Sequence, residues 1–234
     1  MNNPLDSSVQ GNPTHALKVV IIGGGGHAKV VIDAMQRSAT HILAGILSTG
    51  NETEVYGVPV LGGDDLLPTL RDQGIEGFFV AIGSNVVRRK LFDKAVAAGL
   101  TPVNVIHPSA VISPHVTLGS GIVVMANGVI NPGSTIGDNV IINTGTTVDH
   151  DADIGADVHI APGSHLAGNV TVGAGSFLGV GTVVIPGITI GQRVVIGAGT
   201  AVYRNLPDDA KVVGGAMRYL SAMEDSTDPL SGQS

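Results

Sequence analysis

One histidine of the sequence stands between two carboxylates, in the run Asp149-His150-Asp151. Histidine can take up a proton near neutral pH, and an adjacent carboxylate can orient the ring and favour the imidazolium that forms. Such a pair suits a general base that accepts a proton from an attacking amine or hydroxyl group. His150 is therefore the candidate base, with Asp151 as its orienting partner.

A second candidate is the glycine run Gly23–Gly26 followed by His27, which lies between the apolar stretch KVVII and a stretch with the spacing of an amphipathic helix. A strand, a glycine loop and a helix in that order can bind phosphate, because backbone N–H groups at a helix N-terminus attract anions. Lys29 interrupts the full dinucleotide pattern, and Ser48 stands where an acidic residue is expected after the second strand. A mononucleotide is favoured over NAD; a tight turn without a ligand is the alternative.

The histidine lies in an array in which an aliphatic residue returns at every sixth position, and this period fits neither a helix nor a single strand. Three six-residue faces would close a triangular coil of eighteen residues, with the aliphatic side chains inside. Gly168 is eighteen residues after His150 and is predicted to lie directly above it. The array consists of Ile106, Ile112, Leu118, Val124, Ile130, Ile136, Ile142, Val148, Ile154, Ile160, Leu166, Val172, Leu178, Val184, Ile190, Ile196 and Val202.

These patterns predict an α/β domain with a small parallel, Rossmann-like sheet, followed by an all-β helix of stacked coils. Small or β-branched residues two positions before an inward aliphatic are expected at narrow corners. We expect a disordered leader at 1–16, the Rossmann-like domain at 17–104, the coil domain at 105–203, a closing segment at 204–220 and a disordered tail at 221–234. The absence of a long linker predicts that the two domains pack closely.

Composition excludes several classes of partner. The net charge is -7 without a Lys/Arg cluster, which argues against nucleic acid. There is no cysteine for disulfides or thiolate metal sites, and no apolar run of membrane-spanning length. We expect a soluble, cytoplasmic protein without a membrane partner.

The hexads beginning Leu118-Gly119, Ile136-Gly137 and Ile154-Gly155, together with GGGGHA, VAIGSN, NVIHPSA and INTGTTVDHD, resemble the hexapeptide-repeat acyltransferases. Residues 18–218 resemble the branch of nucleotide-linked amino-sugar N-acetyltransferases and sialic acid O-acetyltransferases. The resemblance implies a left-handed β-helix and a homotrimer with acetyl-CoA between two prisms. It also implies acetylation of a nucleotide-linked 4-amino sugar, His150 as base and direct transfer, in the synthesis of a bacterial glycan or O-antigen precursor.

The same resemblance implies roles for individual residues. Asp151 would orient the base, and Gly168 would lie near the reacting carbonyl. The acetyl-CoA contacts would be His159, Gly168, Val180 and Ala198. The nucleotide-sugar contacts would be Gly25, Gly26, His27, Ser48, Gly83, Asn85, Arg88 and Asn143.

Three alternatives accompany this interpretation. A sialic acid-type O-acetyltransferase could use the same base, and a non-catalytic trimeric scaffold would leave the His-Asp pair without a role. A zinc enzyme on the same prism would need histidines that converge across coils, but His115 and His150 are 35 residues apart rather than 36. No metal is therefore expected. Uracil, guanine and thymine all stay open as the base of the nucleotide.

Overall fold

The computed structural model describes residues 16–213. Most of the expected leader, the end of the closing segment and the expected tail lie outside these residues. The N-terminal part contains β1 (Lys18–Ile22), α1 (Gly26–Ser38), β2 (Ile42–Leu47), β3 (Glu54–Val55), β4 (Val58–Gly62), β5 (Gly77–Val80), α2 (Asn85–Ala97) and β6 (Thr101–Pro102). Two 3-10 helices, Asp64–Thr69 and Arg71–Gln73, lie between β4 and β5, with Pro68 inside the first.

These strands form one sheet in the order β3-β4-β2-β1-β5-β6, confirming the small sheet with helices on both sides. The sheet is parallel except for β3, which pairs antiparallel with β4. Strands β1 and β5 are almost wholly buried because their apolar side chains face a helix layer on each side.

The predicted array forms a left-handed parallel β-helix. Its strands are β7 (Val105–Ile106), β8 (Val111–Ile112), β9 (Thr117–Leu118), β10 (Val123–Val124), β11 (Val129–Ile130), β12 (Thr135–Ile136), β13 (Ile141–Ile142), β14 (Thr147–Val148), β15 (Asp153–Ile154), β16 (His159–Ile160), β17 (His165–Leu166), β18 (Thr171–Val172), β19 (Phe177–Leu178), β20 (Val183–Val184), β21 (Thr189–Ile190), β22 (Val195–Ile196), β23 (Ala201–Val202) and β24 (Lys211–Val212).

The strands stack into three parallel sheets, which are the faces of the prism. The first face runs from β7 to β24, the second from β8 to β23 and the third from β9 to β21, through every third strand except for the last step of the first face, from β22 to β24. Partners such as Ile142 and Ile160 are offset by eighteen residues, so the predicted coil length is confirmed. We call the edge between the first and second faces the first corner, that between the second and third the second corner, and that between the third and first the third corner.

The aliphatic residues of the array form the prism core, as predicted. The small polar residues expected at corners are buried there, because a narrow corner admits only a short side chain whose hydroxyl can bond to the backbone. They are Ser134, Thr146, Ser164, Ser176, Thr182 and Thr200. The hydroxyl of Ser164, for example, donates to the carbonyl of Gly179 at 3.1 Å.

The prism does not end at the break after Val202. Leu206 pairs with Ile190, and β24 pairs with β22, each at an offset of sixteen residues instead of eighteen. A coil shortened by two residues therefore extends the stack where a closing segment across its end was expected.

The two parts pack closely, in agreement with the sequence. One hydrophobic cluster joins α1 and the sheet to outward-facing residues of the first prism face, including Val105, Val123 and Ile141. The α/β part thus sits on the first face of the prism.

Candidate active site

His150 lies at the second corner, directly after β14. Its Nδ1 is 2.8 Å from Oδ2 of Asp151, and since a carboxylate only accepts, Nδ1 carries the proton and Nε2 keeps its lone pair. Asp151 has a left-handed backbone, with φ of 56°, which a short Asp tolerates well. The hydrogen bond that His150 donates to Asp151 raises the pKa of His150 from its ordinary value, and the charge of Asp149 adds to this.

Asp149 fixes the turn on which the histidine stands. Its Oδ1 accepts from the backbone N–H of His150 and from Nδ2 of Asn131, each at 2.8 Å. The bond from Asn131 lowers the pKa of Asp149, so the carboxylate stays charged beside the ring. Asn131 was missed in the sequence, although its spacing of eighteen residues from Asp149 would have identified it.

Gly168 lies against the imidazole of His150, as the coil length predicts. A Cβ at this position would be 2.5 Å from both Cε1 and Nε2 of the ring. Only glycine permits the ring to pack this closely on the next coil.

A separate cavity of about 530 Å³ opens at the glycine loop, between the ends of β1, β2 and β5. Five of the residues predicted for the nucleotide sugar line it: Gly25, Gly26, His27, Ser48 and Gly83. The thirteen-residue helix α1 begins at Gly26, so its unpaired N–H groups face this cavity. The arrangement can bind a phosphate group.

The end of the cavity beside β2 is acidic. Glu52 lies there, with Oε2 3.8 Å from where a Cβ on Gly24 would be, next to the side chain of Ser48. Asp64 also lines the cavity, but it is paired with Lys94 at 2.8 Å. The sequence has no acidic residue directly after the second strand, but Glu52, four residues beyond Ser48, brings a carboxylate to this end of the cavity.

Two neutral histidines lie between the cavity and the prism. Burial lowers the pKa of both His27 and His159 to about 4. Nδ1 of His159 donates to the carbonyl of Gly83 at 3.1 Å, and its Nε2 lies 3.3 Å from Nδ2 of Asn143. His159, which was predicted to contact acetyl-CoA, is only 8% exposed. Domain packing covers it.

Asn85 and Arg88 were predicted to contact the nucleotide, but neither lines the cavity. Ser84 occupies the cap position of α2, and the Asn85 side chain donates to the carbonyl of Gly175 at 2.9 Å. Arg88 is completely buried and donates to carbonyls of both domains. Both side chains lie at the domain boundary.

The predicted acetyl-CoA contacts are spread over one chain: His159 lies in β16 on the first face, and the other three lie at two corners. Val180 and Ala198 are exposed at the first corner, eighteen residues apart, whereas His150 and Gly168 occupy the second. The second prism face separates these pairs, so a single chain does not bring them together.

Within residues 16–213, no three His, Cys, Asp or Glu side chains converge as a metal site requires. Neither helix in that part of the chain is long and apolar enough to cross a membrane.

Comparison with known proteins agrees with this geometry. Residues 18–95 match the family described as PglD N-terminal domain, and residues 133–168 match the bacterial transferase hexapeptide family. A mutant of perosamine N-acetyltransferase from Caulobacter crescentus, solved with CoA and GDP-perosamine, is 53% identical, with a TM-score of 0.82 over 84% of this chain and 93% of that one. The acetyltransferase domain of PglB from Neisseria gonorrhoeae, solved with acetyl coenzyme A, is 38% identical, with a TM-score of 0.82 over 86% and 97% of the two chains.

A curated relative, UDP-N-acetylbacillosamine N-acetyltransferase of Bacillus subtilis (strain 168), is 35% identical over 113 residues. This match spans 51% of the relative and 46% of the chain. The chain belongs to the hexapeptide-repeat acyltransferases. Within them it falls in the branch of nucleotide-linked amino-sugar N-acetyltransferases.

Proposed function

We propose that the protein transfers the acetyl group of acetyl-CoA to the amino group of a nucleotide-linked 4-amino sugar. The observation that carries this proposal is the position of His150, whose Nδ1 is held by Asp151 and whose Cε1–Nε2 edge packs against Gly168. The phosphate-binding cavity at the glycine loop supports the nucleotide part of the substrate.

In the proposed reaction the sugar amine attacks the thioester carbonyl while His150 takes a proton from the amine through Nε2. A bond forms between nitrogen and the acetyl carbon, the carbon–sulfur bond breaks, and the CoA thiolate leaves with a proton returned by the imidazolium. Asp151 stabilises that imidazolium, which agrees with the raised pKa of His150.

We further propose guanine as the base of the nucleotide. Guanine presents two neighbouring donors, N1–H and N2–H, which a single carboxylate such as Glu52 can accept together. Uracil and thymine present one N–H between two carbonyl oxygens. A carboxylate could accept from that N–H with one oxygen, but its other oxygen would be repelled by a carbonyl oxygen of the base. The acidic end of the cavity supports a GDP-linked sugar, and the Caulobacter relative was solved with GDP-perosamine.

The site needs two subunits. The cavity sits on the first prism face, where Gly83 bonds to His159, whereas His150 occupies the corner opposite that face. A sugar bound in one chain would have to pass around the prism to reach its own His150. In the proposed homotrimer a neighbouring second corner would meet the first corner, which bears Val180 and Ala198, and acetyl-CoA would lie between them.

The direct test is thiol release from acetyl-CoA with GDP-, UDP- and dTDP-linked 4-amino sugars, and with a sialic acid as hydroxyl acceptor. We expect turnover with a GDP-linked amino sugar and loss of about 10²- to 10⁴-fold in His150→Ala. Turnover of the hydroxyl acceptor alone would identify an O-acetyltransferase. Absence of turnover with every acceptor would refute the proposal.

Subunit sharing can be tested by mixing two inactive variants. His150→Ala lacks the base, and Gly26→Asp places a carboxylate at the phosphate site, where a Cβ meets no atom within 4 Å. Each mixed trimer would contain one site with an intact cavity and an intact neighbouring base, so refolding an equal mixture should restore about a quarter of wild-type activity. No recovery would exclude a site shared between subunits.

A further inference from the structure

Three carbonyl groups form a column at the third corner of the prism, those of Asn139, Asp157 and Gly175. They are eighteen residues apart, one on each of three consecutive coils, and each of these residues has a left-handed backbone. None of the three accepts a backbone hydrogen bond in the described part of the chain. A carbonyl buried without a partner would destabilise the prism, so this column needs donors from elsewhere.

The first turn of α2 supplies these donors from two side chains three residues apart, which lie on one side of the helix. Asn85 Nδ2 donates to the carbonyl of Gly175 at 2.9 Å. Arg88 donates from Nη2 to Asp157 at 2.7 Å and from Nε to Asn139 at 3.1 Å. Arg88 Nη1 also bonds to Asn85 Oδ1 at 3.0 Å, which joins the two side chains.

Arg88 remains charged although it is 0% exposed. Burial lowers its pKa to about 10, still well above neutral pH. Its five N–H groups all have acceptors, because Nη1 also reaches the carbonyls of Ile82 and Gly83, and Nη2 that of Val158. A phosphate could be bound only by breaking one of these bonds.

The same guanidinium ends at the wall of the nucleotide cavity. The carbonyl of Gly83, which lines the cavity, accepts from Arg88 at 3.4 Å and from His159 at 3.1 Å. Arg88 thus connects two coils of the prism to the loop that follows β5.

We infer that Arg88 and Asn85 are positioning residues that hold the nucleotide cavity in place on the prism. This inference rests on the proposed function, in which a sugar held by one subunit must meet His150 of its neighbour. We call these two side chains the clamp. The clamp sets the distance between the bound sugar and His150 of the neighbouring subunit, because a small rotation of the α/β part would carry the sugar amine away from that base. An error of about 1 Å in such a geometry can lower the rate about 100-fold.

The test compares Asn85→Ala and Arg88→Lys with Arg37→Lys as the matched control. Arg37 is on α1, its side chain is 60% exposed, and it pairs with Asp33 on the same helix. Lysine keeps the charge of Arg88 with three donors instead of five and cannot reach both coils and the Gly83 loop. The measurements are GDP affinity by calorimetry, kcat, KM for acetyl-CoA and Tm.

We expect both clamp variants to bind GDP within about threefold of wild type and to leave KM for acetyl-CoA unchanged, while kcat falls about 10- to 100-fold. Arg37→Lys should match wild type. A loss of GDP affinity in step with kcat would make these residues nucleotide ligands. A lower Tm with kcat retained would make the clamp purely structural; either result overturns the inference.

Should Arg88→Lys fail to fold, Asn85→Ala decides the question by the same criteria, because it removes a neutral side chain. The failure of the proposed function is a different result. If wild-type protein transfers no acetyl group to any amino sugar, both the proposed function and the inference about the clamp are refuted. Active wild type with equally active clamp variants refutes the clamp alone.

Discussion

Gly168→Ala tests whether activity depends on the position that the His150 ring takes against Gly168. The added Cβ would lie 2.5 Å from Nε2 and Cε1, whereas ordinary contact begins at 3.4 Å, so the ring must retreat by about 0.9 Å. The His150 side chain is 59% exposed and can move outward, so the fold should lose little stability. A displacement of about 1 Å at the base predicts a fall in kcat of about 100-fold.

The assay is steady-state thiol release at saturating substrates, with Tm measured on the same preparation. The control is the double variant His150→Ala/Gly168→Ala. If the methyl group acts only through the ring, the double variant should be no slower than His150→Ala alone. A single Gly168→Ala variant with kcat within threefold of wild type would refute the reasoning, and so would a double variant that loses a further 100-fold.

Three further outcomes are expected. Asp151→Asn keeps the left-handed turn but removes the carboxylate that raises the pKa of His150. Because the base must be neutral to accept a proton, the acidic limb of the pH profile of kcat/KM should move to lower pH. The plateau of kcat/KM should be about 10- to 100-fold lower. An unmoved limb would contradict this pairing. Glu52→Gln should weaken GDP binding about 10- to 100-fold in calorimetry without changing UDP binding; equal effects on both nucleotides would rule out base recognition. Ile160→Ala, in the prism core, should lower the free energy of unfolding measured in urea by about 2–5 kcal/mol. The control Val183→Ala changes a side chain that is 46% exposed and should lower it by less than about 1 kcal/mol. Similar losses in the two variants would argue against the assigned core.

Much of the prism could be predicted because its period is fixed. Once an aliphatic residue returns every six positions, three faces and a coil of eighteen residues determine which residues share a column. The stacking of Gly168 on His150 could be predicted in this way, and so could the positions of the buried hydroxyls of Ser164 and Thr182 in one column. The period fails only beyond Val202, where the offset falls to sixteen and the sequence no longer marks the coil.

The cavity at the glycine loop was only partly predictable. Glycines at the end of a strand indicate a phosphate site from local geometry alone, and Gly25, Gly26 and His27 do line the cavity. Glu52 could not be identified from its position, because only the path of the loop after β2 brings its carboxylate back beside Gly24. An acidic residue in a polar loop has no periodic pattern to distinguish it.

The sequence by itself determined the two-part fold, the core of the prism and the pair His150–Asp151, since each depends on local spacing or on a regular repeat. The tertiary structure alone decided the roles at the domain boundary. Asn85 and Arg88 meet carbonyls 51 to 91 residues away, and His159 is covered by the loop at Gly83. Such contacts arise from the docking of one domain on another, which follows from the shape and charge of two complete surfaces and not from any short pattern of residues.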